Sequence, residues 1–281
     1  MEYLKGKGLK SRITQKTPLE FLEKHGDKSA HIVFIHYTDV DSNTAYHIRR
    51  VLKAGGLCIV SATTKSIYTC GKDLHENGLP IKDICAWVNP SVQSTSFGMK
   101  YIIEHSKDLD EEQKKETLKE FENLRTMKLR NCYTPILICQ KAIESMHNLV
   151  YNQKKHGCGL MNATRTAYGN LAPNVITTDF IEGYDVPFLI GRIKGSIHTD
   201  FYNDQKLRLY YHLLKTFSHA GNVILDCSMD TGGVFYSCIL LGDRHYYGNE
   251  YIKERYMRVV KGAEGVVKMI PEFEDRFMVA F

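Results

Sequence analysis

The stretch VILDCSMDTGGVFYSCILLGDRHYYGNEYIKERY, Val223 to Tyr256, decides the reading of this chain's fold. Asn222 to Cys227 is a short apolar run with β-branched residues, which predicts a buried strand carrying an acid, Asp226, at its end. Met229 to Gly233 is a glycine-bearing turn, and Val234 to Leu241 is apolar over a helix's length. His245 to Glu250 predicts a second strand, and Tyr251 to Lys261 a closing helix. Strand, turn, helix and strand make one βαβ unit. A glycine at the turn, Gly232, lets backbone approach a ligand, and an acid at the second strand's tip, Glu250, can accept both hydroxyls of a ribose. That arrangement suits an adenosyl ligand. The same spacing also describes an ordinary βαβ unit with a tight turn, so the motif alone has low specificity.

Working outward, the same alternation recurs. Pro18 to His25 predicts a helix, and His31 to His36 a buried strand. Ala45 to Lys53 has helical spacing and runs into Ala54-Gly55-Gly56, which reads as a helix stop. Leu57 to Ala62 predicts a strand, Ile67 to Glu76 a helix closed by Asn77-Gly78, and Ile81 to Val88 a strand. Tyr133 to Ala142 is again strand-like, and Leu207 to Phe217 helical. Helices between apolar strands imply a parallel sheet covered on both faces, hence an α/β class. Two segments break the rhythm. Residues 104–130 are charge-dense and read as a solvated helix, while 151–200 are rich in Gly, Asn and Thr and read as a long loop with short elements. The expectation is a single domain over 1–281 with a helical and loop insertion at about 104–200.

Composition narrows the setting. A net charge of +5 with 25% charged residues permits a polyanion partner without requiring one. The eight cysteines form no C-x-x-C pair and no zinc spacing, so buried reduced thiols and no metal site are expected. The start, MEYLKGKGLK, lacks the apolar core of a signal peptide, and no apolar run is long enough to span a bilayer. A soluble cytoplasmic protein with no membrane partner is the expectation. Trp87 reads as packing, Tyr246 and Tyr247 as alternating across a strand with one side in and one out, and Lys154-Lys155-His156 as a solvated cluster.

The chain also resembles a family, the S-adenosylmethionine-dependent DNA amino-methyltransferases in which the catalytic motif precedes the cofactor motif. Their cofactor turn is Asp-Pro-Phe-x-Gly-Ser-Gly-Thr-Thr. Asp226 and Gly232 match its Asp and second Gly, Leu241-Gly242-Asp243-Arg244 the turn after the helix, and Gly248-Asn249-Glu250 the ribose-binding end. Ile48 to Ala62, Asp83 to Pro90, Tyr133 to Ala142 and Gly157 to Ile176 are similar to further family blocks in the family's order. The resemblance spans roughly residues 17–261. It implies a Rossmann-like methyltransferase sheet, S-adenosylmethionine bound by Asp226, Gly232 and Glu250, and DNA as partner, with a bacterial or phage origin.

The departures cluster at the chemistry. The family's Asp-Pro-Pro-Tyr (or Asn or Ser in place of Asp) holds the target amine of a base flipped from the duplex and stacks on that base. Here the equivalent tip is His36-Tyr37-Thr38-Asp39, with no proline, and these residues are the catalytic candidates. A second family block is represented only by His198-Thr199-Asp200. Asp230 replaces the first glycine of the cofactor turn, and its charge would repel the cofactor's carboxylate. Methyl transfer to a weakly nucleophilic amine needs tight alignment, so these changes imply a degenerate enzyme with a binding or regulatory role on DNA or on a protein that handles DNA. The alternative is an active methyltransferase with a divergent site.

Overall fold

The computed structural model describes residues 11–88, 99–121, 132–144, 149–162, 173–177, 201–269 and 277–279. The chain divides into two compact units, one of Met1–Trp87 with Thr134–Phe281 and one of Val88–Tyr133. The latter begins before the expected insertion, at 88 rather than about 104, and ends at 133. Its described helices are α4 (Met99–Glu104) and α5 (Glu111–Phe121), and α5 has no buried residue, as its charge density predicts.

The larger unit carries the sheet. In chain order its elements are β1 (Ser11–Thr14), α1 (Pro18–Glu23), β2 (Ala30–His36), α2 (Ser42–Val51), β3 (Leu52–Ser61), α3 (Ile67–Glu76) and β4 (Ile81–Val88). After the second unit come β5 (Tyr133–Gln140), α6 (Leu149–His156), β6 (Val175–Ile176), α7 (Phe201–Phe217), β7 (Val223–Asp226), α8 (Gly233–Leu241), β8 (His245–Asn249), α9 (Lys253–Met269) and β9 (Phe277–Val279). The strand order is β6-β4-β5-β3-β2-β7-β8-β1-β9. β2 pairs in parallel with β3 and β7, and β7 with β8.

The α/β class stands, but the sheet is mixed, because β5 runs antiparallel to β3 with Cys58 opposite Cys139. A strand buried on both faces carries no directional signal in its sequence; direction is set by the connection, which the pattern does not report. Strand β2 shows the two-sided burial. Ile32 and Phe34 enter one core with residues of α7, α8 and α9, while Val33 and Ile35 enter another with residues of α1, α2 and α3. Alternate side chains of one strand therefore meet helices on opposite faces.

Local chemistry fixes the ends. Thr17 and Glu20 form a reciprocal capping box on α1, and Asp41 caps α2 by accepting from the Thr44 amide at 2.7 Å. The expected helix stop at Ala54-Gly55-Gly56 lies inside β3 instead. Helix α2 ends at Val51, and the register jumps from Ala30↔Leu52 to Ile32↔Leu57, so Lys53–Gly56 forms a bulge. The first of the short elements expected within 151–200 is α6, whose Lys155 and His156 pair with Glu144 at 2.8 Å and 2.9 Å. Trp87 packs in the core at 2% exposure. Tyr246 and Tyr247 alternate, but both pack inward, one into each core. Among the described residues no helix is long and apolar enough to cross a membrane.

Candidate functional site

The strand order places a topological switch point between β2 and β7. From β2 the chain passes through α2 to β3 on one side, and from β7 through α8 to β8 on the other. Where neighbouring parallel strands send their helices to opposite faces or opposite directions, a crevice opens at their carboxyl ends, and ligands bind there. The residues singled out in the sequence converge on this edge: His36 ends β2, Asp226 ends β7, and Glu250 follows β8.

At the β2 tip, Tyr37–Asp39 form one turn of 3-10 helix. His36 Nδ1 lies 2.8 Å from Thr38 Oγ1, and Thr38 Oγ1 lies 3.5 Å from Asp39 Oδ1. Ser228, from the β7 tip, donates to Asp39 Oδ2 at 2.5 Å and accepts weakly from the His36 amide at 3.4 Å. Asp39 is thus occupied in tying the two strand tips together. Partial burial lowers the proton affinity of His36 against the pull of Asp39, so the ring is neutral near pH 7. Tyr37 is partly buried. Its ring leans on His36 at 4.5 Å, its carbonyl accepts from Cys70 Sγ at 3.6 Å, and it packs against the core.

At the β7 and β8 tips, Asp226 is 1% exposed and accepts from the Tyr246 hydroxyl at 2.9 Å. Burial pushes its carboxyl up to about 7, opposed by bonds from Tyr246 and the Ser228 amide. Gly232 stands in the left-handed region at φ 81, and a Cβ there would meet the Tyr236 ring at 2.8 Å. Only glycine suits this corner. Glu250 accepts from the Asp230 amide at 2.8 Å through Oε2 and from the Ile252 amide at 3.0 Å through Oε1, and it is buried. Burial raises its carboxyl pKa, with those two amides opposing.

Asp230 also adopts a left-handed conformation, at φ 51. Asparagine and aspartate tolerate this region better than other side chains do. Its carboxylate pairs with Lys206 of α7 and, at 3.6 Å, with Arg255 of α9. Burial would raise Asp230, but the two cations outweigh it and hold its carboxyl below the usual range. The repulsion expected from its charge is therefore compensated inside the chain. Lys206, Arg255 and Ser228 escaped the sequence reading. Lys206 lies one residue before the periodic pattern of Leu207–Phe217, and Arg255 looks like any exposed helix cation. His198-Thr199-Asp200 lie outside the described residues. Among the described residues no cluster of three or more His, Cys, Asp or Glu is placed to hold a metal ion.

This sheet has the fold of DNA methyltransferases. The cytosine-N4-specific PvuII DNA methyltransferase superposes with a TM-score of 0.57 at 10% identity, covering 96% of this chain and 95% of that one. M1.HpyAVI gives 0.56 at 12% identity over 89% and 97% of the two chains. TTHA0409 of Thermus thermophilus, a proposed DNA modification methylase, gives 0.56 at 11% identity over 96% and 98%. M1.HpyAVI and TTHA0409 have each also been solved with S-adenosylmethionine. No protein-family profile and no curated protein matches the sequence.

Proposed function

We propose that this is a DNA-methyltransferase-like protein that keeps a cradle for S-adenosylmethionine, has lost methyl transfer, and serves a binding or regulatory role on DNA or on a DNA-handling partner. The observation that carries the reading is the state of Asp39. The acid standing nearest the family's amine-holding position lies past the strand tip and is bonded to Ser228 at 2.5 Å, so it is committed to structure. Without a properly placed acceptor, an aromatic amine is not aligned for attack.

The residues at the β7 and β8 tips fit the cofactor. Glu250 has a second lone pair on each oxygen for ribose hydroxyls. Asp230 is neutralised by Lys206 and Arg255, which leaves the turn without excess negative charge toward an amino-acid carboxylate. When bound, the cofactor would supply an electrophilic methyl group. The burial of Glu250 means the β8 tip must open to admit a ribose, so binding is expected to be weak. DNA as partner is supported by the fold it shares with DNA methyltransferases.

Calorimetric titration with S-adenosylmethionine tests the cradle. Weak binding that disappears in Glu250→Ala is expected; binding unaffected by Glu250→Ala would remove Glu250 from the site, and no heat at saturating ligand would remove the cofactor. One observation favours an active enzyme as a second reading. If Thr38 donates to Asp39, His36 must donate through Nδ1, and its Nε2 is then an acceptor for a target amine. In that reading His36→Ala abolishes DNA methylation.

A further inference from the structure

A second site lies at the opposite, amino-terminal ends of β2 and β7. A cavity of about 210 Å³ opens there, between the sheet and α7, walled mainly by Leu57, Ile138, Leu160, Ile176, Leu213 and Phe217. His31 and Asn222 also line it.

Their hydrogen bonds fix which atoms they present. The Val223 amide donates to His31 Nδ1 at 2.8 Å, so Nδ1 is the acceptor and the proton sits on Nε2. Burial, followed by Lys53, holds the imidazole down at about 4, so the ring is neutral with that single proton. The His219 amide donates to Asn222 Oδ1 at 3.0 Å, which fixes the amide's orientation and turns Nδ2, a donor, the other way. Lys53 Nζ, a donor with no acceptor capacity, lies 3.0 Å from His31 Nε2. Two donors therefore face each other.

His31 Nε2 and Asn222 Nδ2 face one point, and Lys53 Nζ reaches the cluster through its 3.0 Å approach to His31 Nε2. A Cβ on Gly157, another residue of the cavity wall, would lie 3.0 Å from His31 Nε2 and 3.3 Å from Asn222 Nδ2. Among the described residues no acceptor bonds Lys53 Nζ, His31 Nε2 or Asn222 Nδ2, and no acid is ion-paired with Lys53. Lys82 and Asp83 also line the cavity, and His212 stands on its α7 wall. Three donors without an acceptor, at least two of them on a mainly apolar cavity, call for an anionic acceptor on an apolar body.

We propose that this cavity binds a small organic carboxylate, its apolar body between β3, β5 and α7 and its carboxylate shared by His31 Nε2, Lys53 Nζ and Asn222 Nδ2. The size is adequate, since an apolar cavity of about 150 Å³ holds benzene. The site is independent of the crevice at the other edge.

The probe is sodium benzoate, compared with benzamide, its neutral counterpart, by calorimetry on the full chain. Benzoate is expected to bind at least about tenfold more tightly than benzamide. Lys53→Met removes the cation. Asn222→Asp keeps the acceptor for the His219 amide but replaces the donor with an anion. Each should weaken benzoate by about tenfold or more while changing benzamide far less. Thermal unfolding confirms that each variant is folded. Equal binding of benzoate and benzamide, benzoate affinity unchanged in both folded variants, or no benzoate binding at about 10 mM would overturn the proposal.

Discussion

At the residue scale, Asp226 shows how burial turns a recognisable motif acid into a pH-sensitive one. Its carboxyl is pushed up to about 7, from about 3.8 in the unfolded chain. Between those values the native state holds a proton that the unfolded state lacks. Its contribution is therefore present at low pH and is lost as pH rises through about 7. An asparagine can keep both contacts, accepting from the Ser228 amide and donating to the Tyr246 oxygen. The stability of Asp226→Asn relative to the wild type should rise between pH 5 and pH 8 by on the order of 2 kcal/mol, measured by denaturant unfolding. The same difference at both pH values would contradict the assignment. Single residues were legible here to the extent that their position, rather than their partners, mattered. Asp226 and Glu250 were found because acids end strands. Their states were not readable, because Tyr246, Asp230 and Ile252 reach them only through the folded turn.

At the element scale, the turn between β7 and α8 is the most constrained piece of backbone in the site. Gly232 at φ 81 precedes the first residue of α8, with the Tyr236 ring 2.8 Å from where a Cβ would stand. Gly232→Ala should destabilise the protein by about 2 kcal/mol or more, through both the left-handed conformation and the clash. A midpoint of unfolding within error of the wild type would show that the corner relaxes freely. Elements were legible where the apolar period was long and unambiguous, as in β2, α3 and the β7–α8–β8 unit. They failed where burial did not dictate form. The bulge of Lys53–Gly56 read as a helix stop, because glycine serves both. Strands β1 and β9 went unread, because strands of four and three residues are too short to show a period. The direction of β5 was hidden because direction lies in the connection.

At the scale of the whole molecule, the sheet sets two edges with different chemistry. Its carboxyl edge gathers His36, Asp39, Ser228, Asp226, Asp230, Lys206, Arg255 and Glu250, nearly all engaged with one another. Its amino edge gathers donors around an apolar cavity. The methyltransferase fold was readable from five blocks in order, because block order survives substitutions that erase each motif. The tie across its carboxyl edge was not, since Ser228 meets Asp39 only across neighbouring strands.

The carboxyl edge is proposed to keep a cofactor cradle without methyl transfer. The most direct test incubates the protein with isotopically labelled S-adenosylmethionine and unmethylated DNA, then measures methylated adenine and cytosine amines by mass spectrometry. Label no higher with wild-type protein than with Glu250→Ala is expected. Methylated amines formed by the wild type, and lost in both Glu250→Ala and His36→Ala, would contradict it and establish the active enzyme.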